Sequence, residues 1–323
     1  MHRRLFLLAS LAAVGVLAVG GGIYRAFSRD ITREQARIGS GSDLFESRFG
    51  TTEFAVAGPG DGAPVIMIHG TGGGFDQGLS MSGPLITSGH RVIAPSRFGY
   101  LRTDFPQDPS SENQADAIVD LMDHLGIDRA PVIGVSAGAL SAIQFAIRHP
   151  DRCAALIALV PATFVPDRAP PRPDALGAAI MEYALQSDFL FWAGIKTAED
   201  TMIRTLLATD PALVHQAPLA EQERARTVLR QILPISARSQ GLLNDARLAG
   251  TPAEMDLTTI IAPTLAVSLE DDGFKTFEAA RHIAQSVPGA KFVSYPTGGH
   301  VFVDHEAEVF REIEDFMAGL QAT

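Results

Sequence analysis

The chain has 323 residues, a formal net charge of −11 and a single cysteine, Cys153. One cysteine excludes an intrachain disulfide, and no Cys/His group has metal-ligand spacing. Acidic balance with no basic block excludes a nucleic-acid footprint, and the hydrophobic share of 46% is enough for a large core without metal or disulfide.

His2, Arg3 and Arg4 precede an apolar run from Leu5 to Ile23, after which Arg25 and Arg29 follow. The run is near the length that spans a bilayer, about 20 residues. Residues 1–27 therefore read as a secretory signal or an N-terminal membrane tether, with Ala18-Val19-Gly20 as a small-x-small cleavage site. Either outcome puts the remainder on the extracytoplasmic side, because the basic end stays inside. Residues 28–42 read as a polar linker.

From residue 43 onward, strands and helices alternate. Thr52 to Ala57 is a short strand, and Val65 to Ile68 is fully apolar, as suits a strand buried on both faces. Arg91 to Ala94, Ala130 to Val135, Leu156 to Val160, Thr264 to Val267 and Lys291 to Tyr295 read the same way. Asn113 to Leu125 is a helix, with Ala117, Ile118, Leu121, Met122 and Leu125 on one stripe. Ala137 to His149, Phe277 to Ser286 and Ala307 to Ala318 are helices too. This alternation predicts an α/β fold, a mostly parallel sheet flanked by helices. Its core is residues 43–161 and 259–323. Residues 162–258 hold no strand pattern and predict a helical cap inserted between two strands. Phe164, Phe189, Phe191 and Trp192 in it would line an apolar pocket or form the cap's own core.

Gly134-Val135-Ser136-Ala137-Gly138 stands between a strand and a helix. G-x-S-x-G in that setting marks a nucleophile elbow, where glycines two residues either side clear space around a strained serine. An attacked carbonyl becomes an oxyanion, which needs two donors. The N–H of Ala137 is the first. The second comes from His69-Gly70-Thr71-Gly72-Gly73-Gly74, with Thr71 preferred and Gly72 next. That glycine run lacks the Gly-Lys-Ser/Thr of a phosphate loop and the dinucleotide spacing. His69 ends a buried strand and reads as a loop-shaping residue.

Of the nine histidines, His300 alone follows a strand through a Pro-Thr-Gly-Gly loop and lies after the serine in sequence. A general base is needed there; His305 is the fallback. Glu270-Asp271-Asp272 follows the strand Thr264 to Val267. Asp272 is preferred to Asp271 as the acid that orients the imidazole.

With these residues in place the chain resembles the α/β-hydrolase superfamily, in particular its cap-bearing serine esterase-like members. The resemblance rests on His69-Gly70-Thr71, the serine pentapeptide, His149-Pro150-Asp151-Arg152 and Gly299-His300, and covers about residues 45–161 and 259–320. It implies a triad of Ser136, His300 and Asp272, a small-molecule ester-like substrate and no cofactor. A carbon–carbon, lactone or amide bond would be cut by the same acyl chemistry. A binding protein without turnover would lack one of the three residues. Two departures bear on the substrate. Ser96-Arg97-Phe98-Gly99-Tyr100 replaces the usual Asp-x-Arg-Gly-x-Gly, and Val301 stands where ring-cleavage hydrolases usually have tryptophan. Ser136 itself argues against the aspartate-dependent dehalogenases and epoxide hydrolases.

Overall fold

The computed structural model describes residues 2–168 and 185–321, with side chains over residues 20–168 and 185–320. Eight strands form one sheet in the order β1-β2-β4-β3-β5-β6-β7-β8. They are β1 (Asp43–Ser47), β2 (Gly50–Ala57), β3 (Pro64–Ile68), β4 (Arg91–Pro95), β5 (Ala130–Val135), β6 (Cys153–Leu159), β7 (Thr264–Leu269) and β8 (Lys291–Tyr295). β2 runs antiparallel to β1 and β4, and every other pairing is parallel.

Strands β3, β5 and β6 are apolar throughout because both faces are covered. Ile66, Ile68, Val132, Leu156 and Ala266 face a cluster closed by Ile118, Leu121, Ile143 and Ile283. Their alternate neighbours Val65, Met67, Ile133, Ile157 and Leu265 face a second cluster closed by Leu85, Val309, Phe310 and Ile313. Period-two alternation thus assigns each strand residue to one of two helical layers. The covering helices are α4 (Ser111–His124) and α5 (Gly138–Arg148) on the first face, with α11 (Thr276–Ser286); α3 (Gly83–Thr87) and α12 (Glu306–Gln321) cover the second. The short α2 (Phe75–Met81) follows the glycine loop after β3.

Between β6 and β7 the described residues are helices and loops: α6 (Asp188–Thr197), α7 (Glu199–Leu206), α8 (Pro211–Gln216), α9 (Leu219–Arg230), a 3-10 turn (Ile235–Arg238) and α10 (Ser239–Leu248). They enclose their own apolar cluster. Phe191 and Trp192 are buried in it, Phe189 stacks on Trp192, and Phe164 packs on His282. The first two are therefore cap core.

The N-terminus differs from the sequence reading. A single helix, α1, runs from His2 to Ile38. Residues 28–38, expected as linker, continue it. The reason is a helical apolar stripe hidden among charges: Phe27 and Ile31 join the cap cluster, Phe27 meets the rings of Phe189 and Trp192, and Asp30 accepts a bond from Trp192 Nε1 at 3.1 Å. Among the described residues no helix is long and apolar enough to cross a membrane. Most of the expected signal or tether, residues 2–19, lies outside the described side chains.

Candidate active site

Ser136 occupies the turn between β5 and α5 with φ 53°, in the left-handed region that non-glycine residues rarely adopt. The glycines around it are required by close packing. A Cβ at Gly134 would come within 2.6 Å of Ala142 Cβ, and one at Gly138 within 2.5 Å of the His69 carbonyl. The same approach brings the β3 loop to the serine: a Cβ at Gly70 would lie 3.1 Å from Ser136 Cβ.

Of the five peptide N–H groups from Gly70 to Gly74, those of Gly70, Gly72 and Gly73 are engaged, and those of Thr71 and Gly74 are not, among the described residues. Gly70 donates to Gln77 Oε1 at 3.1 Å, Gly72 to the Tyr100 hydroxyl at 3.2 Å and Gly73 to the Gly70 carbonyl at 3.2 Å. Thr71 N–H has no partner among the described residues, and neither has Ala137 N–H at the start of α5. Ala137 follows the serine directly, and Thr71 follows Gly70, the point where the β3 loop approaches Ser136; an incoming oxyanion requires two such free donors. Gly72, the second choice for this role, is committed to Tyr100.

His69 is fully buried, and burial together with the nearby Arg97 charge pushes its imidazole well below the usual value. It is neutral: Nδ1–H donates to the Gly70 carbonyl at 2.7 Å, and Nε2 accepts from Arg97 N–H at 2.9 Å. Its work is shaping the loop.

At the far ends of β7 and β8 the structure brings Asp272 and His300 together, Oδ2 to Nδ1 at 2.7 Å. Asp272 is completely buried. Burial pushes its carboxyl up, but the His300 ring, the Thr276 hydroxyl and the Phe274 N–H outweigh it and hold the group below the ordinary carboxylate range. Asp271 points elsewhere. Its two oxygens accept the N–H groups of Gly298 at 3.1 Å and Gly299 at 2.8 Å, which ties down the loop that carries His300. Sequence alone did not suggest this task, although a carboxylate next to a Gly-Gly loop is the available signal. His305, the fallback base, stacks on Tyr295 and bonds Glu308. Among the described residues no hydrogen bond joins Ser136 Oγ to His300. Serine–histidine bonds of this kind often close only with substrate bound.

The cap covers the site. Ile232 packs on Gly72, and Thr209 packs on Gly299. Thr209 Oγ1 also accepts from Val301 N–H at 3.4 Å. Among the described residues no cluster of His, Cys, Asp or Glu could hold a metal ion.

This fold and elbow define a hydrolase of the α/β class. The chain matches the family model described as alpha/beta hydrolase fold over residues 63–307 and belongs to that family. It is 27% identical over 270 residues to 2-hydroxy-6-oxo-6-phenylhexa-2,4-dienoate hydrolase of Burkholderia cepacia, covering 80% of this chain and 89% of that one. It is 25% identical over 273 residues to 2-hydroxymuconate semialdehyde hydrolase of Pseudomonas putida, covering 81% and 90%. Among solved structures it is similar to an alpha/beta hydrolase fold protein from Nakamurella multipartita, with a TM-score of 0.66, 25% identity and coverage of 85% and 98%.

Proposed function

We infer that the chain is a serine hydrolase acting at a carbonyl carbon, and that the bond it breaks is a carbon–carbon bond beside a keto group. The observation that carries the chemistry is a strained Ser136 followed by the unengaged Ala137 N–H and approached at Gly70 by the loop that carries the unengaged Thr71 N–H. The choice of bond is supported by the relatives named for 2-hydroxy-6-oxo acids, which align with about four-fifths of the chain (80% in each case).

In this reading Ser136 Oγ attacks the keto carbon as His300 Nε2 takes the hydroxyl proton. Asp272 holds His300 in the required tautomer and stabilises its charged form. The carbonyl electrons move to oxygen, which the two N–H groups receive. Collapse of this intermediate breaks the carbon–carbon bond. The electron pair leaves with the departing carbon, which takes the proton from His300. Water, deprotonated by His300, then releases the acid from Ser136.

A carboxylic ester is the second reading, with an alcohol as leaving group. It is favoured by Val301, which replaces the tryptophan usual in the ring-cleavage hydrolases and is buried against the cap. The two are separated by assaying the full chain on 2-hydroxy-6-oxo-6-phenylhexa-2,4-dienoate and on p-nitrophenyl esters of graded acyl length, with Ser136→Ala beside it. The expected result is a higher kcat/KM on the dienoate, abolished by the substitution. Turnover of esters alone would replace the first reading with the second.

The extracytoplasmic placement is a separate proposal, supported by Arg3 and Arg4 ahead of the apolar run Leu5 to Ile23.

A further inference from the structure

Thr71 N–H belongs to the peptide whose carbonyl is that of Gly70, and a planar trans peptide points the two groups in opposite directions. Whatever fixes the carbonyl therefore aims the N–H. The Gly70 carbonyl accepts from Arg97 Nη2 at 3.1 Å. The same guanidinium forks onto Asp245, Nη1 to Oδ1 and Nη2 to Oδ2, both at 2.6 Å. Asp245 Oδ2 also accepts the Tyr100 hydroxyl at 2.5 Å, and that hydroxyl oxygen takes the N–H of Gly72. The peptides on both sides of Thr71 are thus both tied to one carboxylate, which belongs to α10 of the cap, while His69 Nδ1–H and Gly73 N–H hold the Gly70 carbonyl from within its own loop.

All three side chains are buried: Arg97 is 5% exposed, Tyr100 0% and Asp245 2%. Burial, with the Asp245 charge beside it, pushes the Tyr100 phenol well above its usual value, so it stays a donor. A buried ion pair is weak evidence for added stability, because well-packed apolar residues would serve as well. What an apolar replacement could not do is hold two peptide groups in fixed directions.

We propose that Asp245 is a positioning residue for the oxyanion hole, setting the direction of Thr71 N–H through Arg97 and Tyr100. The cap is then part of the catalytic frame as well as a cover. This rests on the roles inferred above for Ser136 and Thr71. Arg238 of the cap's 3-10 turn supports the same loop one step further on, donating to the Gly73 carbonyl and to Asp76.

The test uses the full chain carrying Asp245→Asn, Asp245→Glu or Tyr100→Phe. Tyr100→Phe leaves no unpaired charge and is the variant that decides if Asp245→Asn does not fold. Each folded variant is read for kcat, KM and the second-order rate at which a fluorophosphonate modifies Ser136, since the phosphoryl oxygen must enter the same hole. Losing a whole oxyanion donor costs about 10²–10³ in kcat, so misdirecting one should cost about tenfold or more. KM should stay within about twofold, because only an interaction specific to the transition state is lost. Phosphonylation should slow in parallel, and Asp245→Glu should recover part of both rates. Folded variants with unchanged kcat, or with the loss confined to KM and normal phosphonylation, would overturn the proposal. If wild type is not modified at Ser136, the assignment of the nucleophile fails first and this proposal falls with it.

Discussion

Asp271 and Asp272 are adjacent acids with different tasks. Asp272 lies against His300, while Asp271 accepts two glycine N–H groups in the loop that presents His300. This separates their expected phenotypes. Asp272→Asn keeps the shape but offers Nδ1 an amide, which favours the wrong tautomer, and kcat should fall on the order of 10³–10⁴ with KM little changed. Asp271→Asn keeps one acceptor for the loop and should cost about tenfold or less in kcat, with a small loss of thermal stability. Steady-state kinetics and a melting curve on the two variants check this. Equal losses in kcat would mean that both carboxylates act on the imidazole.

At the level of the elements, what could be read from sequence tracks how local the cause is. The strands β3 and β5 are short apolar runs because both faces are covered, and such runs stand out in any chain. The elbow was legible because strain, glycines and serine fall within five consecutive residues. β1 was not: Asp43–Ser47 is an edge strand with one buried position, Phe45, so no alternation shows. α2 and α3 were missed because each is short and interrupted by glycine, serine or proline. The second half of α1 read as linker because its stripe of Phe27 and Ile31 is sparse, and only the cap surface completes it. The frame around Thr71 was the least legible part. Arg97 stands out in sequence by its place in the segment after β4, but its partner Asp245 is 148 residues away. Such a pairing leaves no spacing pattern to find.

Across the whole molecule, buried and half-buried carboxylates set the response to acid. Burial alone would raise Asp76, Asp116, Glu221 and Asp272. Arginine partners, or His300 in the case of Asp272, outweigh it and hold all four below their ordinary values. Asp30 is lowered to about 2, where bonds from Trp192, Lys196 and Arg29 overcome its burial. Glu306 opposes them, raised by burial. A carboxyl depressed in the folded chain binds fewer protons there than when unfolded. Its stabilisation is therefore complete above the ordinary carboxylate range, about 4, and disappears as pH falls through the lower folded values. The melting temperature should be flat from pH 7 to about 5 and fall steeply between about 4 and 2. A melting temperature unchanged down to pH 3 would show that these pairings contribute nothing net.

The central claim is that Ser136 is the nucleophile. It is tested most directly by treating the full chain with a fluorophosphonate and locating the adduct by peptide mass mapping. The account predicts one adduct per chain, on Ser136, absent from Ser136→Ala and strongly reduced in His300→Ala. An unmodified Ser136, or turnover that survives Ser136→Ala, would contradict it.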